Sequence, residues 1–390
     1  MGQEETQSHT FQCLNCGEDI TVGLDVNYKK FSHGVVVGEN AKYIDEVARA
    51  PIVNVDANFL IPQEQQGQDL VFPRLTQLHE LLDTSKKFGK TTQVPLQKLI
   101  EKQDQRPYRR PDFHNEWAKL KKAWSLHKRG KHKLSSKRIR DGSLEFYKDE
   151  PIDDLADWLW RLSLNLTTPA YHPPFENIMQ TIQPLWKTKE FKALLKFYDQ
   201  SMSEERGRWY FELFKDFFSG YTEFSQVYFR TVVGLKIPPD FKATSLDFDR
   251  VRMFYGNAFE AFAKQVDLLA YLNNLLCGRN FDEFENLTFD KYNKLDQASR
   301  FGPFKANVAF SAICCEADNK IRNASHHGHL VLDEKTQVIS YRSGKGGKGP
   351  KITMTYANYL KKCTCIFLQA ITLLKIELIL SDQGGCRPPL

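Results

Sequence analysis

The stretch that decides how the second half of the chain folds is "IRNASHHGHL", residues 321–330. It contains Arg322, Asn323 and three of the chain's ten histidines. It follows "FKANVAFSAICCEADNKIRN", whose apolar residues predict a helix. Gly328 comes shortly afterwards, and glycine is the usual residue just past a helix end. The stretch therefore predicts a helix end that carries an arginine and several imidazoles.

The sequence on both sides of this stretch predicts a mainly α protein. From about residue 151, successive segments of ten residues or more carry an apolar stripe at helical spacing, and the 28 phenylalanines predict an aromatic core. "HLVLDE", "QVISYRS" and "KITMTY" predict a short β-hairpin insertion. A last helix follows from Tyr356 to about Leu380, and Thr355 can cap it. Gln369, Lys375 and Glu377 interrupt its apolar run, which predicts a buried helix rather than a membrane span.

Three regions are predicted along the chain. Residues 1–75 alternate apolar and polar positions around "CLNCG", which predicts a small strand-rich module. Residues 76–150 predict a helical and basic linking region, and 151–390 a helical domain. Cys13 and Cys16 form half of a zinc site, which needs four ligands. His9 or His33 could complete it, or the pair could be a degenerate zinc ribbon held by its strands; this alternative stays open.

A block of positive charge lies in the linking region. Ten Lys or Arg and no acidic residue occur from Lys119 to Arg140. Such a block requires solvent, a phosphate-bearing partner or an acidic protein surface. The interleaved Trp124, His127 and His132 favour nucleic acid, because flat rings can stack on unpaired bases. The predicted RNA-binding residues are Lys121, Lys122, Lys128, Arg129, Lys131 and Lys133.

The composition is that of a soluble globular protein. Hydrophobic residues make up 41% and charged residues 26% of the 390 positions, which argues against wholesale disorder. The polar start "MGQEETQSHTFQ" lacks the apolar core of a signal peptide. Eight scattered cysteines do not resemble a disulfide framework. We therefore expect a cytoplasmic protein of two or three domains that does not bind a membrane.

The pair Arg322 and His327 suits phosphodiester cleavage. A guanidinium can hold a phosphate through two parallel hydrogen bonds, and an imidazole can exchange protons with a ribose hydroxyl or a leaving oxygen. Five residues apart on an unbroken helix, the two would lie roughly 140° apart around the axis. They can share one site only if the helix ends or kinks between them. Arg109 and His114 have the same spacing, but Pro111 forbids a regular helix there.

"RNASHH", residues 322–327, resembles the Arg-x4–6-His motif of the HEPN superfamily. Its Arg-Asn-x-x-x-His form occurs in many prokaryotic toxins and abortive-infection proteins. The resemblance covers roughly residues 205–380 and implies a helical bundle that dimerises, with a composite RNA-cleaving site at the subunit interface. It implies ribonuclease activity that requires no cofactor, with attack by the 2′-hydroxyl on the adjacent phosphate. Arg322 would stabilise the phosphate, His327 would be the general acid/base, and Asn323 would orient the site.

The resemblance also implies a biological role and an alternative to it. The chain would be a toxin or an antiviral defence effector, with a phage-derived trigger or a neutralising partner. Some HEPN toxins are silenced by AMPylation of a tyrosine two residues after the motif histidine, but this chain has His329 there. The alternative is a catalytically silent HEPN scaffold that dimerises and binds RNA or a partner protein.

Overall fold

A computed structural model describes much of the chain. The described residues are 6–13, 16–27, 32–44, 112–148, 150–239, 241–245, 247–333, 335–344 and 348–390. Contacts between residues divide the chain into two units, Met1–Gln77 and Leu78–Leu390, and each is described by itself. The predicted helices between residues 76 and 111 lie outside the described residues.

The first unit contains an antiparallel sheet of three strands in the order β1-β2-β3. The strands are β1 (Thr6–Gln12), β2 (Asp19–Asn27) and β3 (Ser32–Val37). The Cys-x-x-Cys-Gly turn joins β1 to β2, and Gly17 has φ +74°, which glycine adopts without a steric penalty. The Cys13 amide donates to the Glu18 carbonyl at 2.8 Å and closes the turn. The predicted strand-rich character is confirmed for these strands.

The second unit is mainly helical, as the sequence predicts. Its β insertion is an antiparallel sheet in the order β4-β5-β6, formed by Val331–Asp333, Val338–Arg342 and Lys351–Thr355. Two 3₁₀ helices span Gln183–Lys187 and Ser299–Phe304. The thirteen α-helices of the described residues are α1 (Phe113–Lys128), α2 (His132–Ser143), α3 (Leu155–Thr167), α4 (His172–Ile182), α5 (Lys189–Ser201), α6 (Ser203–Ser219), α7 (Tyr221–Val232), α8 (Phe248–Gln265), α9 (Asp267–Leu276), α10 (Phe289–Asn293), α11 (Val308–Ala312), α12 (Asn319–His326) and α13 (Tyr356–Gly384).

Helix α13 is the centre of the helical unit. It packs against every helix from α3 to α8. The Thr355 hydroxyl caps its start by accepting the Asn358 amide, and Gly385 ends it with φ +62°. It is long and apolar enough to cross a membrane, but 89% of its apolar window is buried inside the protein. The prediction of a buried helix is confirmed, and this burial is consistent with a soluble protein.

The buried carboxylate of Glu377 on α13 is satisfied by hydrogen bonds in the interior. The fully buried Glu377 carboxylate accepts hydrogen bonds from Tyr198 at 2.8 Å, from Tyr210 at 2.5 Å and from Arg206 Nε at 2.7 Å. Arg206 also pairs with Asp267 at 2.5 Å. Breaking a buried pair by removing one partner is costly, so these contacts fix α13 against α5 and α6, and α6 against α9.

The prediction of a single helix over residues 304–323 is wrong. The structure divides this segment into α11 and α12, with an irregular turn between them. Asp318 starts the second helix, because its side chain accepts the Lys320 and Ile321 amides. The Tyr255 hydroxyl holds the turn by donating to the Glu316 carbonyl at 2.6 Å and accepting the Asp318 amide at 3.0 Å. The cap formed by Asp318 and the hydrogen bonds of Tyr255 therefore interrupt the helix that the apolar pattern predicts.

The basic segment folds into a helical hairpin that shares the core of the helical unit. Helix α1 packs against α3 and α6, and α2 packs against α1 and α3. Trp117 stacks on Phe214 with ring centroids 5.1 Å apart, and Trp124 meets Phe211 edge to face at 5.2 Å. Residues 112–148 and 150 therefore pack into the same unit as the helices that follow.

Replacing Lys375 with Met is expected to stabilise the protein at pH 7. The ammonium is fully buried, contacts the rings of Phe175 at 4.2 Å and Trp160 at 5.7 Å, and donates to Thr167 Oγ1 at 3.1 Å. Burial lowers the pKa of Lys375 to about 8. The cost of keeping the buried amine charged is fully present below pH 8, and it disappears as pH rises toward the pKa of the unfolded chain, near 10.5.

Lys375→Met should therefore raise the free energy of unfolding by roughly 1–3 kcal/mol at pH 7. The gain should shrink between pH 8 and pH 10, because the wild type then loses the buried charge. Thermal unfolding at a series of pH values measures both effects. Lys192→Met on the exposed face of α5 is the control and should show no such trend. A stability difference that is constant with pH would contradict the assignment.

Candidate functional site

Helix α12 is docked on helix α8. Ile321, Ala324 and Ser325 form its buried face. The Ser325 hydroxyl donates to the Arg252 carbonyl and accepts the Gly256 amide at 3.2 Å. The position of α12 is thus fixed by side chain-to-backbone hydrogen bonds as well as by apolar contact.

The close approach of the two helices depends on a glycine. A Cβ atom at Gly256 would lie 2.8 Å from His326 Nε2 and 2.9 Å from Ser325 Oγ. Cβ atoms in proteins essentially never come this close to another heavy atom, so a side chain at position 256 would force Ser325 or His326 to shift. Gly256 is a site-positioning residue that the sequence analysis missed, because its importance appears only when α8 meets α12.

Helix α12 ends at the histidines in the way the sequence predicts. His327 is the C-cap residue, and Gly328 follows it with φ +68°. The His329 amide donates to the Ala324 carbonyl at 3.0 Å, and the Gly328 amide donates to the Ser325 carbonyl at 3.4 Å. These two bonds form a Schellman motif, in which a left-handed glycine reverses the chain. His326, His327 and His329 are all exposed.

Arg322 is held by an acidic residue that the sequence analysis did not name. Its Nε atom donates to Glu260 Oε1 at 2.6 Å, and its Nη2 atom donates to the same oxygen. Its Nη1 atom donates to Asn323 Oδ1 at 2.7 Å, and the guanidinium lies 5.8 Å from the centroid of the Phe259 ring. Glu260 lies 62 residues earlier on α8, so no local sequence signal connects it to Arg322. Three of the five guanidinium donors are thus occupied.

Arg322 and His327 belong to the same helix end, but no hydrogen bond among the described residues joins them. The helix ends at His327, not between the two residues, so the offset of roughly 140° between them is largely kept. The guanidinium contacts α8, whereas the imidazole is exposed at the cap, where its ring lies 6.1 Å from that of His329. Within one chain, the Arg322 guanidinium and the His327 imidazole therefore have different surroundings and are not hydrogen-bonded to each other.

The six predicted RNA-binding residues lie on the α1–α2 hairpin. Lys121 is half-buried, and Lys122, Lys128, Arg129, Lys131 and Lys133 are exposed. None of the six forms an ion pair with a described residue. The expectation that Trp124 stacks on bases is wrong, because its ring is fully buried in the core. His127 and His132 pack against each other with ring centroids 4.8 Å apart.

The predicted zinc site remains a prediction. Cys13 is half-buried and Cys16 exposed, and both lie on the β1–β2 turn. The described residues contain no group of three or more His, Cys, Asp or Glu side chains arranged to hold a metal. The side chain of His33, one of the predicted additional ligands, lies outside the described residues.

Comparisons with known proteins found no match to a family model, to a curated protein or to a solved structure. The site is therefore interpreted from its own chemistry. It combines an arginine held by a carboxylate with an exposed imidazole at a rigidly capped helix end. That chemistry can bind an anion and transfer a proton.

Replacing Gly256 with Ala is expected to displace α12 and destabilise the protein. The new methyl group would collide with Ser325 and His326, and overpacking of this kind costs about 1–3 kcal/mol. Thermal unfolding measures the loss. Gly302→Ala is the matched control, because a Cβ atom at Gly302 meets no atom within 4 Å. Equal effects of the two substitutions would contradict the close approach of α8 and α12.

Proposed function

We propose that this chain is a metal-independent endoribonuclease of the HEPN type that acts in the cytoplasm as a toxin or an anti-phage effector. The observation that carries the proposal is the presentation of Arg322 and His327 at a helix end fixed by a Schellman motif and by Ser325. A fixed position matters because catalytic groups must be pre-organised around the reacting phosphate.

The proposed reaction is transesterification within the RNA strand. The 2′-hydroxyl attacks the adjacent phosphate, the bond from phosphorus to the 5′ oxygen breaks, and a 2′,3′-cyclic phosphate remains. His327 exchanges protons with the attacking hydroxyl or the leaving oxygen, for which its exposed imidazole is suited. Arg322 keeps two unoccupied donors that can bind the phosphate, and Asn323 orients the guanidinium.

A second copy of the chain is proposed to complete the site. Arg322 and His327 are offset by roughly 140° around α12, and no hydrogen bond among the described residues joins them within one chain. A homodimer with an isologous interface at this helix end would bring the arginine of each copy toward the histidine of the other. Activity would then depend on dimer formation, which offers a point of control to a phage-derived trigger or to a neutralising partner.

The second candidate function is a catalytically silent HEPN scaffold that dimerises and binds RNA or a partner protein. The ion pair between Arg322 and Glu260 favours this alternative, because the carboxylate already neutralises the guanidinium. A scaffold would use the helix end for contact only, and its binding would depend on the cationic hairpin instead of on Arg322.

Alanine at Arg322 or at His327 is expected to abolish RNA cleavage in the presence of EDTA, because each removes one proposed catalytic group. We expect a loss of at least 100-fold, the contribution typical of a general acid/base. Total RNA and tRNA are the substrates, and the cyclic phosphate end is the product to detect. His329→Ala is the matched control and should retain activity, because it removes a neighbouring imidazole to which no role is assigned. Cleavage that survives in all three variants would contradict the site, and no cleavage by the wild type would favour the scaffold.

Mixing Arg322→Ala protein with His327→Ala protein is expected to restore part of the activity. If each site takes its arginine from one copy and its histidine from the other, half of the randomly mixed dimers contain one intact site. The recovered rate should then approach about a quarter of the wild-type rate. The measurement is RNA cleavage after the two variants are exchanged at equal concentration. No recovery in dimers shown to have exchanged would place both groups of a site in one chain.

A further inference from the structure

The exposed face of α2 carries an unexplained cluster of cations. Lys133, Lys137 and Arg140 follow one another at spacings of four and three residues, which places them on one face of the helix. Together with Ser136 and Asp141 they line an open pocket of about 360 Å³. Lys137, Arg140 and Ser136 are not among the residues that the sequence analysis selected.

Most of the positive charge on the hairpin is not neutralised locally. Of the ten cations between Lys119 and Arg140, only two pair with described carboxylates: Lys119 with Glu145, and Arg140 with Asp153. Lys133 and Lys137 form no ion pair with a described residue. Both are exposed, so a polyanion can approach them from solvent.

The hairpin holds these charges on a rigid base. The Ser135 hydroxyl donates to the Ala123 carbonyl at 2.8 Å and joins α2 to α1. The buried Glu116 carboxylate accepts hydrogen bonds from Trp158 at 3.0 Å and from Tyr147 at 2.8 Å, which joins α1 to α3. A preorganised surface loses little conformational freedom when a ligand binds.

We propose that the α2 face of Lys133, Ser136, Lys137 and Arg140 binds the phosphate backbone of RNA without reading its bases; the choice of RNA as ligand rests on the proposed function. Base stacking on tryptophan is not available here, because Trp117 and Trp124, the two tryptophans of α1, are buried in the core. Phosphate contacts position a nucleic acid and carry no sequence information. The hairpin therefore holds structured RNA of any sequence.

The lining of the pocket favours RNA over an acidic protein. It consists of three cations, one hydroxyl and one carboxylate, and it includes no apolar side chain. Protein–protein interfaces have an apolar centre, whereas interfaces with nucleic acids are more polar and more positively charged. The positive charge of the lining side chains matches the second description.

The test is the salt dependence of RNA binding by the full chain carrying His327→Ala, which prevents cleavage of the probe. The probe is an RNA duplex of about two helical turns, together with a second duplex of the same length and scrambled sequence. Each lysine that contacts a phosphate adds about one to the slope of the logarithm of affinity against the logarithm of salt concentration. Lys133→Gln/Lys137→Gln should therefore lower the slope by about two and bind both duplexes equally weakly.

The matched control is Lys192→Gln/Lys196→Gln. It removes the same charge at the same spacing from the exposed face of α5, where neither lysine pairs with a described residue. The control should keep the slope of the parent protein. Equal losses in the two double variants, or an unchanged slope in the α2 variant, would overturn the proposal. Discrimination between the two duplexes, or competition by polyglutamate as effective as by RNA, would also overturn it.

The result of this RNA-binding test is independent of the proposed catalysis. Binding is measured with the motif histidine removed, so a result on α2 does not depend on whether the wild type cleaves RNA. If RNA cleavage by the active enzyme does not depend on Lys133 and Lys137, that result contradicts only the proposed α2 surface. A protein that binds duplexes through α2 but never cleaves them would support the surface and contradict the proposed reaction.

Discussion

The buried carboxylate of Glu377 is the constraint on which the helical unit depends. It is fully buried in the last third of the central helix α13, where an unpaired charge would cost several kcal/mol. Arg206 and two tyrosine hydroxyls satisfy it, and each comes from a different turn of α5 or α6. Because these donors must all meet one carboxylate, the register of α13 against its neighbours is fixed more narrowly than apolar packing alone would fix it.

The same central helix positions the candidate site. The Tyr359 hydroxyl, near the start of α13, donates to the Arg252 carbonyl at 2.8 Å, and Ser325 of α12 donates to that same carbonyl. One backbone oxygen of α8 thus joins the central helix to the helix that carries the motif. Gly256 lies one turn further along α8 and allows the contact to close. The precision of the helix end therefore comes from the core, not from the exposed residues themselves.

Several elements could be predicted from sequence because their causes are local. The capping of α13 by Thr355, the glycine after His327 and the alternation of the β strands depend on neighbouring residues and follow from the sequence. The turn at residues 313–318 was missed, because it depends on the Tyr255 hydroxyl far away in sequence. The prediction that Trp124 stacks on bases failed for a related reason. The residue lies in a basic segment of the sequence, but its ring is on the helix face that packs against Phe211. Glu260 was missed because its contact with Arg322 spans 62 residues.

The free energy that the ion pair between Arg322 and Glu260 contributes determines what this contact can mean for function. Both side chains are about a quarter exposed, so the pair is partly screened by water, and such pairs contribute about 0–1 kcal/mol. A phosphate carries a full negative charge and can accept the two donors that Glu260 and Asn323 leave unoccupied. Glu260 can therefore orient the guanidinium of the proposed site, and a phosphate that approaches need not displace it. An arginine held in this way is prepared for binding at little cost, whereas one buried as deeply as Arg206 would not be released to any ligand.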